Sequence, residues 1–402
     1  MKKNRAACCI LACVLWMGCL AGCGKVEAPA FILGMDASCV PSLEASGVQY
    51  YNKEGQQQDV FQILAESGIN YIRVRVWNHP FDEAGHGYGG GNCDIQNALE
   101  IGKRATRYGM KLMVDFHYSD FWADPGKQMV PLAWKDMDIG EKETALYTFT
   151  CESLQKLKDA GVDVGMVQIG NETNGGLAGE TSWENMAKLF SAGAKAVRDT
   201  LPGALVAVHF TNPEKPGAYA YYGQQMAKYE VDYDVFASSY YPMWHGSLEN
   251  LRQVLKAIKE TYGKQVLVAE TAHPYTAEDL DFHPNTVTAD SQTPYPKTVE
   301  GQAAWVQDVA NAVSQIGGMG VFYWEGTWIS AGGGSYQENK TLWETCGSGW
   351  ASSYAGAYDP KDAGKYYGGC AVENQALFDS RGKPLDSLAV FSRIREYLQK
   401  FS

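Results

Sequence analysis

Short, mostly apolar runs, most with few charges, recur along this chain, separated by longer stretches whose apolar positions repeat every three or four residues. The runs cover 31–36, 69–76, 110–116, 164–170, 204–209, 233–240, 265–270 and 320–324. The helical patterns cover 95–108, 141–160, 183–200, 248–262 and 299–316. A strand of a parallel sheet is covered by helices on both faces, so it reads as a nearly continuous apolar run rather than an alternating one. Eight such strand–helix units in one chain predict an α/β fold, a single closed (β/α)8 TIM barrel rather than an open doubly wound sheet. No glycine-rich phosphate fingerprint follows the first run, which also argues against a nucleotide-binding sheet. Residues 31–402 are expected to form this one catalytic domain. Within it 329–372, rich in Gly, Ser, Tyr and Trp, reads as a long loop region, and 385–398 reads as a closing helix.

Enzymes with this fold place their sites where the strands end. Asp36 ends the first run, and Arg73 and Arg75 lie in the second, followed by Trp77. The third ends in Asp115 and His117, with Trp122 just beyond; Asn171 and Glu172 end the fourth. His209 closes the fifth, Tyr240, Tyr241 and Trp244 follow the sixth, and Glu270 closes the seventh. Trp324, Glu325 and Trp328 follow the eighth. Glu172 and Glu270 are the pair that matters most. A carboxylate beside an apolar run is costly unless it is paired or used, and two carboxylates on one rigid scaffold are what a glycosidase needs. Indole faces suit the C–H faces of pyranose rings, and planar polar side chains suit their hydroxyls. No serine nucleophile elbow is present, so acyl transfer is disfavoured.

The net charge of −12 argues against nucleic acid and anionic lipid head groups as partners. Residues 1–22 read as an export signal, with Lys2, Lys3 and Arg5 ahead of a short apolar stretch. That segment ends in Leu20-Ala-Gly-Cys23, which resembles a bacterial lipobox. Cys23 is then the expected lipidated first residue, 23–30 a short tether, and the location extracellular, on the cell surface, with membrane contact only through the anchor. Five cysteines lie beyond the signal, and none has zinc-site spacing; Cys151, in a helical pattern, is the expected unpaired thiol.

With these residues in view, a resemblance becomes specific. Glu172 and Glu270 at the fourth and seventh strand ends, with Asn171 before the first, resemble the clan A pattern of retaining glycosidases. Gly87-Tyr-Gly-Gly-Gly91, Asp115-Phe-His-Tyr-Ser-Asp120-Phe-Trp-Ala-Asp-Pro125, Gly170-Asn-Glu-Thr173, Phe322-Tyr-Trp-Glu325 and Trp343-Glu with Gly347-Ser-Gly-Trp350 together resemble glycoside hydrolase family 53, the endo-β-1,4-galactanases. The likeness runs from about residue 31 to 391. It implies retaining cleavage of internal β-1,4 bonds in galactan and in the type I arabinogalactan side chains of pectin, by a monomer needing no cofactor for catalysis. It also implies Glu172 as acid/base and Glu270 as nucleophile, with Arg75 and Tyr240 holding Glu270 ionised. Asp36, Trp77, Asp115, His117, Trp122, Asn171, Trp324 and Trp328 would complete the sugar site. Asp279, Asp281, His283 and Asn285 resemble a structural calcium loop of bacterial members, although Leu280, Phe282 and Pro284 stand between the ligands where glycines are expected. Cys93, Cys346 and Cys370 replace residues that are usually polar in the family; with Cys39 they imply disulfides Cys39–Cys93 and Cys346–Cys370 clamping loops around the cleft. Two other readings stay open: a clan A β-glucanase, xylanase or mannanase, and a non-enzymatic glycan-binding surface lipoprotein.

Overall fold

The computed structural model describes residues 30–401 apart from 334 and 368. The expected signal segment and Cys23 lie outside the described residues. Eight parallel strands close into a barrel in chain order: β1 (Ile32–Asp36), β2 (Tyr71–Val76), β3 (Lys111–Phe116), β4 (Val164–Ile169), β5 (Leu205–Phe210), β6 (Val235–Ser239), β7 (Gln265–Thr271) and β8 (Gly320–Tyr323). All eight expected strands are present, and β8 pairs back onto β1.

The connecting helices begin where side chains satisfy the free N–H groups of a first turn. Asp94 caps Ile95–Arg107, and Asp138 with Glu141 forms a capping box at the start of Ile139–Asp159. Ser182, Ser247 and Thr298 open Trp183–Thr200, Leu248–Tyr262 and Val299–Gln315. The helix Ala218–Lys228 escaped the sequence pattern for a physical reason. It starts at Gly217 with no side-chain cap, and three tyrosines and a glycine give it low intrinsic propensity. The stretch expected as a long loop also contains a helix, Tyr336–Cys346, opened by Ser335 and closed by Gly347 in the left-handed conformation.

Strand side chains alternate between the barrel axis and the helical jacket. Ile32, Met113, Met166, Ala207, Ala237, Leu267 and Phe322 fill the axis. Leu33, Ile72, Val114, Val167, Val208, Phe236 and Val321 join the larger core outside it. Gly34 is dictated by this filling, since a Cβ there would stand 2.1 Å from the Phe322 ring. One step toward the C-terminal ends the same inward rows turn polar. Met113 gives way to Asp115, Met166 to Gln168, Ala207 to His209 and Ala237 to Ser239, all buried. The barrel is thus an apolar plug under a polar floor, and the floor is where the site stands.

Candidate active site

Strict alternation would turn Glu270 away from the axis, because Leu267 and Ala269 already point inward. The ladder slips here. Ser238 pairs with Val268, but Ser239 pairs with Glu270. This bulge re-aims the Glu270 carboxylate into the barrel mouth, a common use of an extra strand residue beside a site. Glu172 is brought in differently. Gly170 (φ 109) and Glu172 itself (φ 47) take left-handed backbone just beyond β4. For glutamate that conformation is uncommon and carries strain, held by the structure around it.

The two carboxylates meet across one hydroxyl. Ser239 Oγ donates to Glu172 Oε1 at 2.6 Å and lies 3.5 Å from Glu270 Oε2. Those oxygens are therefore at most about 6 Å apart, suited to the short carboxyl separation of a retaining site rather than the roughly 6.5–9.5 Å of an inverting one. Glu270 is held by Arg73 Nη1 at 2.9 Å from its Oε1 and by the Tyr241 hydroxyl, which donates to its Oε2 at 3.0 Å. Glu172 has no cation in contact among the described residues. Burial, and then the negative Glu270 beside it, push its pKa up to about 8. Burial also raises Glu270, with Arg73 pulling the other way. One acid is poised to keep its proton while its neighbour is paired with a guanidinium, a separation that gives two carboxyl groups two roles.

Beneath them lies a buried polar floor centred on Arg73. Its Nη1 also donates to Asp36 Oδ2 (3.1 Å), its Nη2 to Asp115 Oδ2 (2.8 Å) and Asn171 Oδ1 (3.0 Å), and its Nε to Gln168 Oε1 (3.2 Å). Asn171 Nδ2 donates to the Ala123 carbonyl, so both ends of its amide are fixed at the cleft surface. His117 Nδ1 accepts from Trp77 Nε1 and from the Ala123 N–H, which leaves its Nε2 as the donor to Asp115. Burial lowers the pKa of His117, consistent with a neutral ring.

Above this floor opens a cleft of about 920 Å³. Loops after β3 and β8 build one wall from Trp122, Trp324 and Trp350. Trp122 stacks on Trp350 at 4.6 Å and on Trp328 at 6.3 Å, with the Arg75 guanidinium 4.4 Å over its ring. Arg75 is itself held by Glu325 and Asp36.

These features match known proteins along nearly the whole domain. The sequence profile of Glycosyl hydrolase family 53 matches residues 32–391. The chain belongs to glycosyl hydrolase family 53. It is 60% identical over 365 residues to the endo-beta-1,4-galactanase of Bacillus subtilis (strain 168), covering 90% of this chain and 85% of that one. It is 34% identical over 365 residues to the arabinogalactan endo-beta-1,4-galactanase of Cellvibrio japonicus (strain Ueda107), covering 86% and 93%. The GH53 catalytic domain of Ignisphaera aggregans superposes with a TM-score of 0.81 at 35% identity, over 92% of this chain and 98% of that one.

In this family-53 barrel several expected residues stand elsewhere than the sequence reading put them. Neither the Arg75 nor the Tyr240 side chain bonds the Glu270 carboxylate; Tyr240 meets Glu270 through its backbone N–H, which donates to the Glu270 carbonyl at 2.7 Å. Tyr240 points into the helical jacket, where its hydroxyl donates to the Gly246 carbonyl and its ring stacks on Trp305. Alternation from Ala237 through Ser239 turns Tyr241 inward instead, and Arg73, one inward position deeper than Arg75, reaches Glu270. Arg75, His117, Trp122, Asn171 and Trp324 line the cleft. Asp36, Trp77, Asp115 and Trp328 lie behind that surface, fully buried, and hold the residues that do line it. Ser239 was not named from sequence, and Tyr241 and Trp350 were named there without a role, although inward alternation on β6 was a usable signal for Ser239 and Tyr241.

The expected disulfides are absent. Cys39, Cys93, Cys346 and Cys370 are thiols, as is Cys151. Cys39 and Cys93 both face Arg75 Nη2, at 3.2 and 3.8 Å, and Cys93 Sγ donates to the Gly90 carbonyl. Cys346 Sγ lies against the Ala45 carbonyl, whereas Cys370 is buried near Glu373 and Asp281. Cys39 and Cys93 thus share one guanidinium, while Cys346 and Cys370 sit in different surroundings.

The expected calcium loop is partly brought together. Oxygen atoms of Asp279, Asp281 and Glu373 lie within 4.8 Å of one another. Asn285 Oδ1 and Glu373 Oε2 are buried without partners. Burial and mutual repulsion raise Asp281 to about 8 and Glu373 to about 7. Orphaned oxygens among crowded carboxylates fit a hard cation. His283 is not part of that group; it stacks on Tyr366. Glu373, distant in sequence, carries no loop spacing that could have revealed it.

Proposed function

We infer that this chain is a retaining endo-β-1,4-galactanase, acting on galactan and on the type I arabinogalactan side chains of pectin. The observation that carries the reading is the pair itself: one carboxyl with a raised pKa and no cation, and one anchored by Arg73 and Tyr241, joined by Ser239. Glu270 attacks the anomeric carbon while Glu172 protonates the departing glycosidic oxygen, giving a galactosyl-enzyme ester and a shortened chain. Glu172, now ionised, takes a proton from water, which attacks the same carbon and releases Glu270. Asn171, fixed at both ends, is placed to hold the hydroxyl next to the reacting carbon. Two carboxyl groups suffice for this chemistry, and no cofactor enters it. Substrate identity rests on kinship with the named galactanases. Reducing-sugar release from galactan, compared with cellulose derivatives, xylan and mannan, tests it; hydrolysis of one of the others with galactan left intact would overturn it.

Asp279, Asp281 and Glu373, with Asn285, would hold a calcium ion that neutralises their repulsion and pins the long loop after β7 to the segment around 373. Chelation should then lower the melting temperature, with calcium restoring it; an unchanged melting curve refutes the site. The protein is exported and anchored through lipidated Cys23, and it works as a monomer. Mass spectrometry of the N-terminal peptide should find a diacylglyceryl thioether, and Cys23→Ala should release the protein from cells. Sedimentation at one chain mass checks the last point.

A further inference from the structure

Gln128 is a half-buried amide that takes no part in the steps proposed above, yet it ties together the two loops that frame Glu172. Its Nε2 donates to the Asn171 carbonyl at 2.7 Å and to the Asp124 carbonyl at 3.1 Å. Both amide protons are thus spent on carbonyls. A turned amide would set oxygen against oxygen, so the orientation is decided. The Gln128 Oε1 is buried with no hydrogen-bond partner among the described residues. An orphaned buried oxygen is costly, and here it follows from committing the whole NH2 group to the other side.

The residue is also packed in place. Its own carbonyl accepts from the Gly179 N–H at 2.8 Å, and a Cβ on Gly176 would stand 3.0 Å from the Gln128 Cβ, so the loop 176–180 closes over it. On the other side the turn 124–127 is locked by paired backbone bonds between Asp124 and Lys127. Asn171 Nδ2 donates to the Ala123 carbonyl of the same loop. The loop after β3 and the end of β4 are therefore stitched twice, by the side-chain amides of Asn171 and Gln128.

The carbonyl that Gln128 grips leads directly into Glu172. A peptide group is one rigid plane running from Cα to Cα, so fixing the Asn171 oxygen fixes the point from which the Glu172 side chain leaves the backbone. That point needs fixing. Glu172 has a φ of 47, strained for a glutamate. Its N–H, at the other end of the same plane, makes only a long contact of 3.4 Å to His209 Nδ1. Released at the carbonyl, the plane can rotate to relieve the strain, and the carboxyl then shifts away from Ser239 and from the oxygen it must protonate. We propose that Gln128 is a positioning residue for the acid/base Glu172, acting through the peptide between Asn171 and Glu172. The proposal deepens the galactanase reading and rests on its assignment of Glu172.

Two substrates separate placement of the acid from general damage. Galactotetraose needs a proton on its leaving oxygen; β-galactobiosyl fluoride needs little. Gln128→Met keeps the length and volume of the side chain but has no donor. It should lower kcat/KM on galactotetraose, relative to kcat/KM on the fluoride, by roughly tenfold to a hundredfold, as when a reacting group is misplaced by about 1 Å. Gln128→Glu supplies the conservative rescue. Ionised, it repels both carbonyls; protonated, it donates one hydrogen bond. Measured against the parent enzyme at each pH, its galactotetraose-to-fluoride ratio should climb toward the parent value as pH falls. Equal losses on both substrates in Gln128→Met would mean a purely structural role, and an unchanged ratio would mean that the grip does not place the acid; either result overturns the proposal. If the methionine variant does not fold, Gln128→Glu decides alone, and a ratio that stays flat with pH refutes the idea. The underlying reading fails in a different way: Glu172→Ala would lose both substrates alike, or the unsubstituted enzyme would leave galactan intact.

Discussion

The two carboxyl groups proposed to carry the chemistry share a hydroxyl but are held from different directions. Glu270 is gripped from below, by Arg73 in the polar floor and by Tyr241 beside it. Glu172 is held from the side by Ser239, on left-handed backbone, with no cation in contact among the described residues. The difference is a division of labour written in surroundings rather than in side-chain type. A nucleophile must be ionised before it acts, so it is built onto a guanidinium. A general acid must part with a proton at the working pH, so it is kept beside a negative charge and away from positive ones.

The harshest way to break this contrast is to remove the gripped member. Glu270→Gln should lower kcat on galactan by on the order of 10⁴-fold or more, with no covalent intermediate trapped by a 2-fluoro sugar. Arg73→Lys keeps the charge but not the fork that spans Glu270, Asp36, Asp115 and Asn171, and should cost roughly 10²–10³-fold. Arg73→Met would leave buried carboxylates unpaired and should lose about 3–5 kcal/mol of stability in denaturant titration. A wild-type rate for Arg73→Lys would show that the floor does not serve the nucleophile.

The other member is tested by leaving group and by pH. Glu172→Ala should lose about 10²–10⁴-fold on galactan but far less on substrates whose leaving group needs no proton, with azide restoring turnover as the β-glycosyl azide. Azide rescue of a Glu270 variant to an α-product would exchange the two roles. Because Glu172 is pushed up to about 8, activity on galactan should fall as pH rises through that value, where the acid loses its proton. The stability effect has the same sign. The folded carboxyl keeps its proton above the pH at which the unfolded one releases it. Its contribution is thus full below the unfolded pKa and lost as pH rises toward 8. In Glu172→Ala the residual activity on galactan should lack this alkaline limb; its persistence would assign the limb to another group.

Much of this was legible in the chain. Continuous apolar runs give strands buried on both faces, and their number and order give the barrel. The two glutamates and Asn171 stand at strand ends where a barrel keeps its chemistry. What was not legible is depth and phase. Arg73 and Arg75 both point inward, and only the height of each along the axis decides which meets Glu270. The bulge that swings Glu270 inward leaves no mark in its apolar run. Cysteine positions on one rim suggested bridges, but sharing a rim does not make sulfurs face each other, and Arg75 stands against both Cys39 and Cys93. Glu373 joins Asp279 and Asp281 only through the chain's path back beneath the loop.

The smallest predicted effects come from two adjacent tyrosines, and they sharpen the comparison most finely. Tyr241→Phe removes a hydroxyl that donates to the ionised nucleophile, so it should lower kcat by roughly tenfold to a hundredfold while the melting temperature moves little. Tyr240→Phe removes a hydroxyl that donates to the Gly246 carbonyl in the jacket, 2.7 Å away. It should cost about 1 kcal/mol of stability and leave the rate near that of the parent enzyme. The two changes delete the same atom from neighbouring residues of one strand end, so composition, charge and local propensity are matched. Only the face differs. If both variants lost activity alike, the inward and outward faces of β6 would not be separate environments, and the assignment of Tyr241 rather than Tyr240 to Glu270 would fall.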